Sequence, residues 1–276
     1  MTEQDLAKAH KQYLSKQKNR RLYILFWQIF IIVSFFALWE IAARFGWLDT
    51  FLFSCPSDIL NLFLSYLAGG KIFPHIAASV WETILGFTIA SILGVLIAIL
   101  LWWFETFAKI MDPLLVILNA LPKTALAPIL IVWIGAGTAG IVAVAVFISL
   151  IVTIISAYSY FSSVEAEKIK LLQSFGATKL QILTKLILPA NILNLMSIVK
   201  INLGLSWVGV IVGEFLVSRR GIGYLIVYGS QVFRLDLVMM GVIVLAVCAW
   251  LMYELCNSLD KMLHHTKKNG QTSRNN

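Results

Sequence analysis

The amino-acid sequence predicts an all-α, polytopic membrane protein with six transmembrane helices. Hydrophobic residues make up 59% of the 276 residues and charged residues only 13%, whereas about a quarter of an ordinary globular chain is charged. With a mean hydropathy of +0.85, the chain would expose too much apolar surface in water. Its apolar residues form six runs, each close to or above the roughly 20 residues that cross a bilayer as a helix.

The chain begins with a basic cytoplasmic leader, residues 1–21, and enters the first predicted span at Leu22–Phe45. This apolar run is longer than the roughly 7–15 residues of a secretory signal, so we expect an uncleaved span. Residues 46–78 are predicted to form an outer connection. Within it, turn-forming residues bound one short helix, Ile59–Leu67, which we expect at the membrane interface.

The second predicted span, Ser79–Trp103, carries a small residue at every fourth position along part of its length. These residues are Gly86, Ala90, Gly94 and Ala98. Small residues on one face let a second helix approach closely, so we expect this ridge to be a packing surface. A chance run in a span rich in alanine and glycine is the alternative.

The third predicted span, Pro113–Ile134, is interrupted by Pro122 and Pro128. Each proline removes a backbone donor, and in a bilayer such breaks persist only where protein or a water-filled cavity satisfies the freed groups. A broken span therefore indicates a cavity. The remaining predicted spans, which complete a transmembrane domain over residues 22–262 and precede a tail at 263–276, are Ile141–Tyr160, Ile187–Val217 and Leu237–Leu259.

The distribution of positive charge predicts which side of the membrane each loop faces. Lysine and arginine concentrate in the leader, in the polar segment 162–188 and in the tail, and are sparser in the segments that would lie on the opposite side. Cytoplasmic loops carry this excess. We therefore expect a multi-pass protein of the plasma or inner membrane with both termini in the cytoplasm.

No pattern in the sequence indicates catalysis by this chain. The four histidines and three cysteines lack metal-ligand spacing, and no glycine-rich loop of the Walker type is present, so the chain cannot hydrolyse ATP by itself. Its basic residues do not share one face or segment, which argues against a nucleic-acid partner. We expect a transport subunit that binds no cofactor of its own.

The polar segment 162–188 separates the fourth and fifth predicted spans and holds four lysines and two glutamates. Ile169, Leu172 and Phe175 recur at helical spacing and are expected to insert into an apolar cleft of a soluble partner. Gly176 permits a sharp turn at positive φ that most residues resist, and we expect it to end a short helix there. A solvated basic loop beside anionic lipid is the alternative.

Four motifs occur in the order of a known family. Gly176 and Leu186-x-Leu188-Pro189 fit an E-A-A-x-x-x-G pattern followed by I-x-L-P, although the first slot reads Lys170-Leu171-Leu172. The other three motifs are Leu121–Pro128 with Ile131–Gly135, Lys200–Trp207, and Arg220–Leu225. Together they resemble the nitrate/sulfonate/taurine branch of ABC importer permeases over roughly residues 75–262.

The resemblance implies the type I ABC importer permease fold and a set of partners. These partners are a second copy of the chain, a cytoplasmic ATPase dimer that uses ATP and Mg, and an extracytoplasmic solute-binding protein. Residues of the segment 162–188 would contact the ATPase: Glu165, Glu167, Lys168, Lys170, Leu172, Ser174, Phe175, Gly176, Ala177, Thr178 and Lys179. Lys170 stands where the family has glutamate, which puts one expected ion pair in doubt.

The implied solute is a small anion such as nitrate, taurine, an alkanesulfonate or bicarbonate, with a thiamine-precursor pyrimidine or riboflavin as alternatives. Charged groups inside a bilayer are functional candidates, and Lys200, Trp207 and Glu214 share one helix face; bonds to neighbouring helices are the alternative. The full set of predicted pathway residues is Asn119, Pro122, Lys123, Thr124, Pro128, Trp133, Lys200, Trp207 and Glu214. Arg219, Arg220 and Arg234 are predicted to line an outer vestibule, for an anion or an acidic docking protein.

Two other classes of membrane protein remain open from the residues alone. An ion-coupled secondary transporter would be expected to show an internal repeat with paired broken helices, and the sequence shows a single broken span. An integral membrane enzyme would need convergent histidine or carboxylate groups, which the pattern does not provide.

Overall fold

The computed structural model describes residues 3–272, and this part of the chain is built from helices joined by short turns. Residues 1–2 of the predicted leader and 273–276 of the predicted tail lie outside the described residues. The helices are α1 Glu3–Arg44, α2 Thr50–Phe53, α3 Pro56–Ala68, α4 Ile72–Trp103, α5 Glu105–Ala120, α6 Ala127–Ile134, α7 Thr138–Ser162, α8 Ala166–Ser174, α9 Lys179–Ile182, α10 Leu188–Val217, α11 Ile222–Gln231 and α12 Leu235–Thr272.

Among the described residues, five helices are long and apolar enough to cross a membrane. A sixth crossing results if α5 and the segment Lys123–Ile134, which meet at an angle of 88°, are counted as one broken span. The predicted all-α fold with six apolar spans is therefore confirmed, with the third span sharply bent.

Several element boundaries differ from the sequence-based prediction, and those of the second and third spans differ most in their consequences. Helix α4 begins at Ile72 rather than Ser79, and α5 begins at Glu105 and includes Pro113. Pro128 does not interrupt the third span. It lies in the first turn of α6, where its missing N–H has no partner to lose. The break lies at Leu121-Pro122 instead.

The predicted small-residue ridge of α4 is a packing surface. Gly86, Ala90, Gly94 and Ala98 are all buried. A β-carbon at Gly86 would lie 2.7 Å from the β-carbon of Ala145, and one at Gly94 would lie 2.5 Å from a methyl group of Thr153. The two helices α4 and α7 therefore touch almost backbone to backbone, as small residues allow in a membrane.

Helix α10 packs against the other side of α7 in the same way. Gly213 approaches Ile141 so closely that a β-carbon would lie 3.0 Å from its Cα atom. Ser149 and Ser206, both fully buried, share a hydrogen bond of 3.1 Å. Helices α4, α7 and α10 thus form a three-helix core around which the remaining elements are arranged.

The last two helices close one side of this core. Ile72, Trp207, Ile222, Leu237 and Met240 are among the buried residues of a cluster that joins α4, α10, α11 and α12. Helix α11 thereby becomes an outer cap that is tied to three membrane helices at once.

Helix α1 leaves most of its apolar surface exposed. Its contacts include a polar one, in which the Ser57 N–H donates to the Glu40 carboxylate at 3.0 Å, while Arg44 pairs with the same carboxylate at 2.7 Å. An exposed apolar helix of this kind requires a lipid or protein environment.

Candidate functional site

The turn at Gly176, which directly follows α8, has the backbone conformation that the sequence predicts. Gly176 has a φ of +75°, which a glycine adopts without a Cβ penalty. Its N–H donates to Gln173 O at 2.9 Å, and the next N–H, of Ala177, donates to Leu172 O at 3.0 Å. This is the Schellman arrangement that satisfies the last carbonyls of a helix. The predicted turn at positive φ is confirmed.

A second short helix, α9, begins directly after this turn. Thr178 and Gln181 form a capping box at the start of α9, which satisfies two N–H groups reciprocally. A π-helical turn, Leu183–Ile187, leads from α9 into α10. Pro189 follows in the first turn of α10, a position at which proline is tolerated. The motif around Pro189 therefore lies in a helical segment that runs from α9 into α10 without a non-helical residue between them.

The segment 162–188 exposes a different apolar face from the one predicted. Ile169, Leu172 and Ala177 are partly buried and pack against the apolar cluster at the adjacent ends of α4, α7 and α10. Leu171 and Phe175 are exposed instead, Phe175 to 79%. This corrects the expected role of Leu172, which supports the segment from inside, whereas Leu171 and Phe175 form its outer apolar surface.

The charged residues of α8 surround this exposed surface. Lys168 pairs with Glu165 at 2.9 Å, and both side chains are exposed. Glu167 lies in the first turn, where a negative charge interacts favourably with the helix dipole. Lys170 is also exposed, as is Ser174, whose hydroxyl donates to Lys170 O at 3.0 Å. The segment thus presents a mixed apolar and charged face.

Lys179 is oriented toward the chain itself. Its Nζ atom donates to Trp103 O at 2.5 Å and lies 5.8 Å and 5.5 Å from the ring centroids of Trp102 and Trp103. These residues form the end of α4. Lys179, which is predicted to contact the ATPase, thus makes an internal contact within this chain.

The broken third span has its bend stabilised from within. Helix α5 ends at Ala120 and Pro122 precedes a 3₁₀ turn, Lys123–Leu126. The Lys123 Nζ atom donates to the backbone oxygen of Asn119 at 3.1 Å and to its side-chain oxygen at 2.9 Å. A cation thereby satisfies a carbonyl at the end of α5. The other predicted pathway residues of this span, Thr124, Pro128 and Trp133, are exposed.

Part of the predicted pathway face of α10 lines one groove. Lys200, Gly204, Trp207 and Ile211 border a space of about 540 Å³ between α10 and α12. The Trp207 side chain is 5% exposed, and its Nε1 has no hydrogen-bond partner among the described residues.

Lys200 itself is bonded to the neighbouring helix, as the alternative interpretation proposed. Its Nζ atom lies 2.6 Å from a carboxylate oxygen of Asp260 and 3.1 Å from the side-chain oxygen of Asn257. Both partners are on α12. The positive charge that Lys200 brings to this groove is therefore compensated.

Glu214 does not border this groove, because it is 1% exposed and holds the loop between α10 and α11 in place. Ser79 Oγ donates to Glu214 Oε1 at 2.5 Å, and the Gly223 N–H donates to Oε2 at 2.5 Å. The Ile222 N–H donates in turn to Ser79 Oγ at 2.7 Å. The second carboxyl of this region, Glu82, is 4% exposed and interacts with Glu214.

The sequence did not identify Ser79 or His75 as part of this arrangement. The Gly221 N–H donates to the His75 ring at 3.1 Å, and that ring stacks on Tyr224. A sequence signal for Ser79 does exist, because Ser79 and Thr83 extend the buried ridge of α4 by two steps toward its N-terminus. No comparable signal marks His75.

The three outer arginines do not line one vestibule in this chain. Arg219 and Arg220 border a cavity of about 560 Å³ together with Glu82. Arg234 lies in a separate depression beside Asp58 and pairs with Asp236 at 2.8 Å. Among the described residues, no three histidine, cysteine, aspartate or glutamate side chains could hold a metal ion.

Comparison with known proteins gives consistent matches over most of the chain. It is 24% identical over 258 residues to the putative aliphatic sulfonates transport permease protein SsuC of Bacillus subtilis (strain 168), covering 94% of each chain. It is 29% identical over 187 residues to the formylaminopyrimidine transport permease protein ThiX of Halalkalibacterium halodurans, covering 68% of this chain and 74% of the relative.

The fold also matches a solved structure. An inward-facing MetNI methionine ABC transporter superposes with a TM-score of 0.57 at 17% identity, over 66% of this chain and 93% of that one. The fold is therefore that of a type I importer permease. A profile of the family "Binding-protein-dependent transport system inner membrane component" matches residues 86–268, which is more than half of the chain. The chain belongs to this family, whose members are the transmembrane permease subunits of ABC importers and leave ATP hydrolysis to a separate subunit.

Proposed function

We propose that this importer permease carries a small anion, with a sulfonate as the first candidate. We further propose that α8 and the turn at Gly176 form its contact with the ATPase. The permease would act as a homodimer above two ATPase subunits that use ATP and Mg, with an extracytoplasmic binding protein that delivers the solute. The membrane would be the plasma or inner membrane, with both termini in the cytoplasm.

The observation that carries the ATPase contact is the exposed surface of Leu171 and Phe175. A soluble loop that exposes a phenylalanine to 79% leaves apolar area in water that a partner would cover. The helix beneath is fixed by its buried face, by the Gly176 turn and by the capping box at Thr178. A fixed apolar knob surrounded by charge suits a docking contact better than a lipid-bound loop.

Two observations support an anionic solute. The hydrogen-bond partners of Lys123 both belong to Asn119, and within residues 3–272 no acidic side chain forms an ion pair with this cation at the break of the third span. Trp207 adds a buried N–H with no described partner on the groove between α10 and α12. Burying an N–H without a partner is costly, and a solute oxygen would satisfy it. The aliphatic-sulfonate relative agrees with this charge.

The formylaminopyrimidine relative supports a second candidate solute. A pyrimidine carries hydrogen-bond acceptors that could use the Trp207 N–H but has no need of Lys123. The two candidates therefore differ in their dependence on this one charge. Lys123→Met should abolish uptake of a sulfonate and leave uptake of a pyrimidine largely intact.

The ATPase contact can be tested by copurification from membranes that contain the permease and its tagged ATPase. Phe175→Ser should release the ATPase, because it removes the largest exposed apolar group of the segment. Phe233→Ser is the matched control, since Phe233 is 71% exposed in the turn between α11 and α12. Equal copurification of the ATPase with both variants would contradict the proposed contact.

A further inference from the structure

We propose that Lys179 is a positioning residue that latches the ATPase-contacting segment to the junction between α4 and α5. Its ammonium group donates to the backbone oxygen of Trp103, the last residue of α4, at 2.5 Å. The same group lies within 6 Å of the ring centroids of Trp102 and Trp103, the range of a cation–π contact. One side chain thus makes three interactions with a single helix end.

The end of α4 is suited to receive a cation. The last four carbonyls of a helix have no intrahelical donor, and the helix dipole places partial negative charge at this end. The junction continues with Phe104 and then Glu105, the first residue of α5, whose carboxylate interacts electrostatically with Lys179. The carbonyl, the two indole faces and the carboxylate all favour a positive charge at this point.

The backbone that carries Lys179 is also held by hydrogen bonds. Lys179 is the first residue of α9 and directly follows the capping box residue Thr178. Between it and α8 lies only the turn through Gly176, whose hydrogen bonds fix the relative direction of the two helices. A displacement of the exposed Phe175 is therefore transmitted to Lys179 across a short, hydrogen-bonded turn.

Lys179 borders a cavity between the two parts that it connects. The cavity has a volume of about 400 Å³ and is lined by Trp102 and Glu105 of the junction and by Ile169 and Ala177 of the segment. Lys179 reaches across it. The lysine is therefore a polar connection between the segment and the junction, beside the apolar contacts that the segment makes with the same helix ends.

Beyond the junction, α5 leads straight to the bend at Leu121-Pro122. The latch therefore connects the segment that is proposed to bind the ATPase with the broken span that is proposed to line the solute pathway. This inference rests on the proposed function. It assigns to Lys179 the transmission of movement rather than contact with the ATPase.

The test compares Lys179→Met with Lys179→Arg in the assembled transporter, reconstituted in liposomes with its ATPase and binding protein. Lys179→Met keeps the stem and loses the charge, so it should retain the ATPase but raise the ATP hydrolysed per solute imported about fivefold or more. Lys179→Arg keeps a cation and its donors and should restore the wild-type ratio. Lys71→Met is the matched control, because Lys71 is an exposed lysine at the opposite end of α4.

A second measurement detects the latch without transport. Amide hydrogen exchange in the full-length permease should become faster at residues 104–108 and 176–183 together in Lys179→Met, and in neither range in Lys71→Met. Wild-type exchange with a wild-type hydrolysis ratio would overturn the proposal. Loss of the ATPase from the Lys179→Met complex would also overturn it, because Lys179 would then contact the ATPase itself. If the wild-type chain binds no ATPase, the proposed function fails, and exchange still decides whether the latch exists.

Discussion

Gly221 lies against the carboxyl group of Glu214 so closely that a β-carbon at Gly221 would overlap the carboxyl carbon and both oxygens. The loop that carries Gly221 is held there by hydrogen bonds from Gly223 to Glu214 and from Ile222 to Ser79. The glycines of the Arg220–Leu225 motif are therefore explained by a buried carboxyl group rather than by a phosphate or a solute.

We predict that Gly221→Ala destabilises the protein. Its φ of +118° and ψ of +165° lie in a region that is essentially restricted to glycine, at a cost of about 1–3 kcal/mol for other residues, and the overlap with Glu214 adds to this. The measurement is the thermal unfolding midpoint of the purified protein in detergent. Gly204→Ala is the control, because a β-carbon there meets nothing within 4 Å. Equal midpoints for the two variants would contradict the tight fit.

The contact between α4 and α7 predicts that a second substitution compensates for the first. Gly94→Ala should reduce the yield of folded protein, because the new methyl group would lie 2.5 Å from Thr153. Thr153→Gly removes the obstructing side chain. The double variant should recover at least part of the loss, with a coupling energy of about 0.5–3 kcal/mol for residues in contact. Additive losses in the double variant would show that the two residues do not meet.

The two lysines of the predicted pathway should respond differently to substitution. Lys200→Met leaves Asp260, whose side chain is 16% exposed, without this cation, and should lower the free energy of unfolding by about 1–3 kcal/mol. Adding Asp260→Asn should recover part of it. Lys123→Met loses only two exposed hydrogen bonds to Asn119, so it should change stability by about 1 kcal/mol or less yet abolish uptake of a sulfonate. Thermal unfolding and radiolabelled uptake, measured on the same membranes, separate the two effects.

Gly176→Val should weaken ATPase binding or uncouple ATP hydrolysis from uptake without affecting membrane insertion. A β-carbon at Gly176 meets nothing within 4 Å, so the penalty is confined to the backbone at φ +75°, on the order of 1–2 kcal/mol. Gly176→Ala should be milder, since it lacks the β-branch. The measurement is copurification of the ATPase together with uptake. Wild-type values of both for Gly176→Val would mean that the turn is not needed for coupling.

The features that local sequence predicts well are those that depend on one helix or one turn. The spacing of Gly86 to Ala98 predicted a close helix contact, and Gly176 predicted a turn at positive φ; both are confirmed. The family resemblance is confirmed as well, and with it an ABC importer permease takes precedence over the secondary transporter and the membrane enzyme. Each of these signals is contained in a short stretch of chain.

The features that the sequence could not predict depend on partners far away along the chain. Glu214 is bonded to Ser79, which lies 135 residues away, and Lys200 to Asp260, 60 residues away. The partial burial of Leu172 has a similar cause. A short helix such as α8 has apolar residues on more than one face, and the position of the neighbouring helix ends decides which of these faces is covered.

At Gly86 and Gly94, α4 meets the Ala145 and Thr153 side chains of α7 so closely that no longer side chain fits between the two helices. A sliding motion would drive Thr153 into the β-carbon of Ala90 or Ala98 within one helical turn on either side of Gly94. We therefore expect α4 and α7 to move together as one rigid unit. Bending at the break near Pro122 remains open to the chain, and a disulfide placed between α4 and α7 should leave transport intact.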